Sequence, residues 1–364
     1  MLGYTVRRTL AAIPLLVGIT IMIYAILIAA PGGPEQKFAS NPKFTPEQRQ
    51  AFIRAWGLDQ PIPVQYCRWV GLCEPTGSGI GALIGPKGLP AFLPTALSGS
   101  TNGLLHGDLG YSISSGEPVG RRIAQAALPT LILASTALVV WMAIAFLIGL
   151  ISALREGRRF DHIAAVVSYI TYSIPTFWLA ILLISLFSVA LGLFPVSGMT
   201  DTRTSPAFGS AAYWAYAGAN PLVAIAGLLH HLVLPVATLA IVSFAGDARV
   251  IRGSVIESLR GEYVRTARAK GIDERRVLLR HVLRNSLIPF VTNLGLVIPF
   301  LFTGAVITET MFAWPGVGLL TIQATGALDY PILMGILLVG GVLVVVGNLV
   351  ADILAALLDP RVRL

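Results

Sequence analysis

Residues 9–30, Thr-Leu-Ala-Ala-Ile-Pro-Leu-Leu-Val-Gly-Ile-Thr-Ile-Met-Ile-Tyr-Ala-Ile-Leu-Ile-Ala-Ala, form an apolar-dominated run of about 22 positions behind Arg7-Arg8. A helix of that length rises about 30 Å, the thickness of a bilayer's hydrocarbon core. Similar runs recur at about 128–153, 163–191, 222–245, 287–308 and 332–357. A cleaved signal peptide has an apolar core of only about 7–15 residues, so the first run is expected to be a retained span. The composition agrees: 55% of residues are hydrophobic and 12% are charged, where a soluble domain carries about 25% charged. The expected fold is therefore an all-α integral membrane protein with six transmembrane helices.

Charge placement orients those helices. Between Arg249 and Arg284 there are ten Arg/Lys against four acids, and the connector 154–162 holds three Arg. Such an excess beside apolar spans marks the cytoplasmic side. Arg361 and Arg363 place the C-terminus there too, which matches an even number of spans and an internal N-terminus. The net charge of +8 follows from this topology, and without aromatic residues interleaved among the basic ones it gives no footing for nucleic acid. Three regions result: 1–30, the N-terminus and first span; 31–127, an enlarged extracytoplasmic first loop; and 128–364, a core of five spans with a cytoplasmic loop at 249–286.

The first loop has one clear helix signal. Thr45-Pro46-Glu47-Gln48 is a capping box with proline at the first helical position, Phe52 and Trp56 lie on one side, and Gly57 ends it. The Gly-rich piece 71–103 reads as loop. Cys67 and Cys73 share this extracytoplasmic stretch, where a disulfide and two free thiols are both open. Two cysteines without neighbouring histidines make no zinc site.

In the basic loop, Val255, Leu259, Tyr263 and Ala267 recur at intervals of four, one face of a helix, and Gly271 stops it. A short amphipathic helix at a membrane surface either lies in lipid or inserts into a socket on a cytoplasmic partner. Ala267 and Ala269 flanking Arg268 favour the socket, since small residues make a narrow knob whereas lipid insertion calls for Leu, Phe or Trp. The candidate contact residues are Arg265, Thr266, Ala267, Arg268, Ala269, Lys270 and Gly271.

Within the third span, Ser173-Ile-Pro-Thr-Phe-Trp178 contains Pro175, which removes a backbone hydrogen bond and is expected to bend the helix. Such breaks persist in a membrane where a neighbour or a water-lined cavity satisfies the freed carbonyl. Ser173, Pro175 and Phe177 are therefore candidate pathway-lining residues, with a plain packing kink as the alternative.

Several chemistries find no footing. No Gly-x-x-x-x-Gly-Lys-Ser/Thr occurs, so no P-loop is available to cradle nucleotide phosphates. His230, His231, Asp247 and Asp352 belong to no catalytic pattern, and structural roles such as interfacial anchoring or pairing with Arg249 account for them. The middles of the spans hold almost no ionisable groups, which argues against an ion-coupled secondary transporter. No catalytic residue, metal or cofactor is expected.

The run Glu262-Tyr-Val-Arg-Thr-Ala-Arg-Ala-Lys-Gly-Ile272, with Arg280-His-Val-Leu-Arg-Asn-Ser-Leu-Ile-Pro289, resembles the cytoplasmic coupling loop of dipeptide/oligopeptide-type ABC importer permeases. Importer permeases in general carry Glu-Ala-Ala, three residues, Gly, nine residues, then Ile-x-Leu-Pro. Here Ala267, Gly271 and Leu283 match that pattern; Arg265 and Thr266 stand in place of Glu and Ala, and His281 and Arg284 in place of Ile and Pro. These departures suit the peptide branch and argue against the sugar branch. The resemblance continues in Glu309-Thr-Met-Phe-Ala-Trp-Pro-Gly-Val-Gly318, Asp329-Tyr-Pro331, Asn348-Leu-Val-Ala-Asp352 and the closing Asp359-Pro-Arg361. It also covers Trp56–Tyr66 and Gly107–Ser112, between which about thirty residues are inserted. The resemblance implies a type I ABC importer permease fold in the inner (plasma) membrane. The implied partners are a second related permease, two ATP-binding subunits that hydrolyse the ATP, and an extracytoplasmic substrate-binding protein, which the enlarged loop is expected to contact unless it covers the pore entrance. Permeases of this kind also resemble transporters of nickel, glutathione or oligosaccharides.

Overall fold

The structure, a computed structural model, describes residues 2–29, 47, 50, 53, 59–72, 103–287 and 305–358. Among the described residues the regular structure is helix, with one isolated antiparallel bridge between Tyr111 and Pro118. Four helices are long and apolar enough to cross a membrane, and one sharply bent pair makes a fifth. Most of the expected span 287–308 lies outside the described residues. So do the piece 73–102, residues 359–364, and the capped helix from Thr45 apart from the helical positions Glu47, Gln50 and Ile53.

The chain divides into two compact units, one centred on 129–318 and the other on 2–128 with 319–345. In the second, α1 (Leu2–Ala29) meets α2 (Ile62–Val70) through aromatic rings: Tyr24 lies 5.6 Å from both Tyr66 and Trp69. The polar tips pair as well, since Tyr24 Oη donates to Gln65 Oε1 at 3.0 Å and the hydroxyls of Thr20 and Tyr66 are 2.8 Å apart. Ile23 and Tyr24 share a core with Met334 and Leu338. Two glycines allow close approach in this unit: a Cβ on Gly335 would fall 2.6 Å from Val119, and one on Gly341 2.9 Å from Ile19. Cys67, on α2, is disulfide-bonded; Cys73 lies outside the described residues.

α3 (Val119–Leu154) begins well before Leu128, where the apolar run starts. Hydropathy marks only the lipid-buried part of a helix, and the polar turn after Pro118 is helical without being apolar. In the unit centred on 129–318, α3 packs closely on α7 (Pro221–Leu259), where Gly149 faces the Ala248 carbonyl so tightly that a Cβ would sit 2.7 Å from it. At 39 residues, α7 is about 58 Å long, nearly twice the hydrocarbon core. Residues 249–259, expected as the start of a loop, are its last three turns: the apolar run stops at Ala245 while the backbone ladder continues.

The third span is broken rather than curved. α4 (Arg159–Ser173) and α5 (Thr176–Ala190) meet at 98°. Ile174 is extended at ψ 124°, as the residue before a proline tends to be, and Pro175 opens α5. α5 ends in a π-helical turn, Ile184–Ala190. A short helix, α6 (Ala211–Ala219), precedes α7 and is capped by the Ser210 hydroxyl, which accepts from the Tyr213 amide.

After α7 the chain turns at Arg260-Gly261 into α8 (Glu262–Ala269) and then α9, a helical run over 274–286 with a π-helical turn at Val277–Val282. α10 (Val306–Met311), α11 (Val317–Gly326) and α12 (Tyr330–Leu358) complete the described chain.

Candidate functional site

The basic segment 249–286 does not form the single helix that the spacing of Val255, Leu259, Tyr263 and Ala267 predicts. α7 stops at Leu259, and α8 restarts three residues later with a new buried face of Val264 and Ala267; Tyr263 points to solvent. The cause is Gly261, whose carbonyl accepts from the Val264 and Arg265 amides and so starts a separate helix. Val264 and Ala267 join Val255, Val277 and Val282 in one core cluster, which clamps α8 between the end of α7 and α9.

Of the seven residues expected to meet a partner, Arg265, Thr266, Arg268, Ala269, Lys270 and Gly271 are exposed. Ala267 is the exception: at 4% exposure it serves to seat the helix, and its small size permits the close fit. α8 thus has one buried side and one exposed side. Gly271 ends α8 as expected, with φ at +73°; its amide donates to the Arg268 carbonyl at 2.9 Å, and the Ile272 amide donates to the Ala267 carbonyl. This is the pattern of a left-handed helix cap, which glycine adopts without strain.

Among the described residues, four ion pairs surround this segment. Arg252 grips Asp161 bidentately, Nε to Oδ1 at 2.6 Å and Nη2 to Oδ2 at 2.7 Å, while the Gly157 amide donates to Oδ2. Arg260 pairs with Glu156 at 2.9 Å, and on the surface Arg265 pairs with Glu262 and Arg268 with Glu274. Arg268, hydrogen-bonded to Glu274, holds that carboxyl below its ordinary pKa. A depressed acid keeps its pairing energy above its unfolded pKa and loses it as pH falls through the lowered value, so the clasp is closed at neutral pH. The sequence reading missed Asp161. An acid opening a span behind Arg158-Arg159 was the available signal.

Asp247 does not pair with Arg249, contrary to one structural role considered for it. It accepts from Trp141 Nε1 at 3.0 Å, and the Arg249 guanidinium lies over the rings of Tyr169 and Tyr172. Two residues apart on α7, the side chains diverge to different neighbours. His230 Nε2 lies 2.8 Å from the Leu193 carbonyl and His231 Nδ1 2.8 Å from the Gly227 carbonyl, both structural contacts. The side chain of Asp352 is outside the described residues.

At the break in the third span, Ser173, Pro175 and Phe177 are all exposed. The Ser173 hydroxyl donates to the Tyr169 carbonyl at 2.9 Å, closing off the end of α4.

Two further buried acids, one in each unit, tie together other motifs of the chain. Glu309 is fully buried; its Oε1 accepts from Thr130 Oγ1 at 2.9 Å and its Oε2 from the Gly318 amide at 2.7 Å. Thr130 Oγ1 in turn accepts from the Val317 amide, and Trp314 Nε1 donates to the Pro129 carbonyl. Glycine is required at 316, where a Cβ would lie 2.4 Å from the Glu309 carboxyl. In the other unit, Asp329 is also fully buried and accepts from the Ser112 hydroxyl at 2.6 Å, the Ser114 hydroxyl, and the amides of Ile113 and Ser114. The motifs ending at Ser112 and starting at Asp329 therefore meet in space.

Residues 145–364 match the family described as binding-protein-dependent transport system inner membrane component, and residues 1–75 match the corresponding N-terminal membrane-component family. The chain belongs to this family of inner-membrane permease components of ABC transporters and is a multi-pass membrane protein. Among its relatives, the oligopeptide transport system permease AppB of Bacillus subtilis is 37% identical over 367 residues, covering 100% of both chains. The di/tripeptide permease DppB of Pseudomonas aeruginosa is 34% identical and the dipeptide permease DppB of Escherichia coli K12 is 32% identical; each match covers 100% of this chain and 99% of the relative.

Proposed function

We propose that this chain is one permease subunit of an ATP-driven importer of dipeptides or oligopeptides. It would cross the membrane six times with both termini cytoplasmic. Half of the translocation pathway would come from this chain and half from a second, related permease. Two ATP-binding subunits would hydrolyse the nucleotide, and an extracytoplasmic binding protein would deliver the cargo. The reading rests on one observation above the rest: a short capped helix, rooted in the core by Val264 and Ala267, presents Arg265, Thr266, Arg268, Ala269, Lys270 and Gly271 to a partner. Full-length relatives that carry peptide-transport names supply the cargo class.

The mechanism is mechanical. Closure of the ATPases would push α8, whose buried face bears on Val255 at the end of α7. One turn earlier, Arg252 holds Asp161 at the start of α4, so displacement passes to α4 and is taken up at the break before Pro175. Ser173, Pro175 and Phe177 would then line the moving pathway, and packing with two stable arrangements would carry the cargo.

Two experiments test this. In proteoliposomes containing the full complex, a labelled di- or tripeptide is expected to accumulate only with ATP and the binding protein. Accumulation of nickel, glutathione or an oligosaccharide in place of peptide would reassign the cargo. Separately, Asp161→Arg is expected to lower the uptake obtained per ATP hydrolysed by about tenfold, the scale of a charge-assisted hydrogen-bond pair, and the double exchange with Arg252→Asp to restore most of it. A double exchange as poor as the single change would remove the strut from the mechanism.

A further inference from the structure

Along α7, Arg249 is set apart by what it lacks. Arg252 and, just past the helix end, Arg260 each hold a carboxylate, whereas Arg249 has none within ion-pair distance among the described residues. Its Nε donates to the Ala245 carbonyl one turn back, so the side chain runs toward the N-terminal end of α7. In the topology proposed above, that direction leads away from the cytoplasm and into the bilayer, opposite to the course of a snorkelling arginine. The guanidinium carbon lies 4.9 Å from the centre of the Tyr169 ring and 5.3 Å from that of Tyr172, and both rings are more than half exposed. These tyrosines occupy the last turns of α4, next to Ser173 and the 98° break. The terminal nitrogens of the guanidinium have no hydrogen-bond acceptor among the described residues.

A cation carried into a membrane is costly unless it faces water or a ligand. Two ring faces hold this one by cation–π attraction while leaving its forked donor edge open, the geometry that takes a carboxylate bidentately. We propose that Arg249, flanked by Tyr169 and Tyr172, binds the C-terminal carboxylate of a peptide during its passage. The tyrosine rings offer apolar faces to the adjoining residue of the cargo. The site would set a polarity on transit, with the carboxylate end held at the broken span. This assignment rests on the peptide-importer reading.

The test uses the full complex with its binding protein in proteoliposomes and a tripeptide carrying a photoreactive phenylalanine analogue at either end. The C-terminal probe is expected to cross-link to 169–177 of the wild-type chain during ATP-driven transport, and the N-terminal probe to miss that segment. In Arg249→Gln the cross-link disappears and peptide uptake falls about 10- to 100-fold, the range a charge-assisted pair supplies; Arg249→Lys keeps part of both. Cross-linking by the N-terminal probe instead, or an unchanged cross-link and unchanged uptake in Arg249→Gln, would overturn the site. Failure of both variants to co-purify with the second permease and the ATPases would assign Arg249 to assembly and likewise overturn it. A wild-type complex that moves no peptide would fail at the earlier step, the cargo class.

Discussion

Gly271→Val is expected to leave the transporter hydrolysing ATP while its uptake falls by an order of magnitude or more. The backbone at 271 has φ +73°, and a Cβ placed there meets nothing within 4 Å, so the penalty is conformational and not steric crowding against neighbours. For an L-residue the left-handed region costs about 1–2 kcal/mol, and more for a β-branched side chain. The chain would escape by giving up the cap, in which the Gly271 and Ile272 amides hold the carbonyls of Arg268 and Ala267. Arg268, Ala269 and Lys270 would then lose their fixed presentation while Val264 remained buried, so the complex would assemble but transmit poorly. Gly271→Asn, which tolerates left-handed backbone better, should retain most of the coupling. The decisive quantity is the ratio of peptide taken up to ATP consumed; a normal ratio in the valine variant would end the role given to this helix cap.

Glu309→Ala should have the largest effect on folding. Its carboxyl accepts from Thr130 Oγ1 and the Gly318 amide with no exposure to solvent. Truncation strands at least these two buried donors at about 1–3 kcal/mol each, roughly 2–6 kcal/mol together, and the cavity it opens beside Gly316 adds to that loss. Glu309→Gln keeps the volume but turns an amide donor toward one of these donors, so a smaller loss, near the value for one unsatisfied group, is expected. Thermal unfolding of the detergent-purified chain reads both. A melting temperature for Glu309→Ala within a degree of the wild type would mean that water or a rearranged side chain replaces the carboxyl.

The spans and the end of α8 were legible because each has a one-dimensional signature. Apolar length marked residues 9–30 and 222–245, and a glycine after a basic helical stretch marked the cap at 271. What stayed hidden depends on partners distant in sequence. Nothing near Asp161 announces Arg252, 91 positions later, and nothing near Asp329 announces Ser112, 217 positions earlier. Periodicity misled where a single glycine reset the phase: the four-residue spacing from Val255 to Ala267 runs straight across Gly261, but the backbone does not. Ala267 was legible as small but not as inward-facing, because size alone does not tell a protruding residue from one that lets its helix sit close.

The uninterrupted length of α7 bears on how little motion the machine requires. From its interior Pro235, where a helix lacks a backbone hydrogen bond, α7 runs on to Leu259 as a lever of about 36 Å, which converts a tilt of about eight degrees into a sweep of about 5 Å at its far end. A displacement no larger than one helical turn at α8 would correspond to a barely perceptible lean of this helix within the lipid. In the proposed mechanism the amplitude of the ATPase stroke and the width of the opening would thereby be geared to one another by the reach of a single helix.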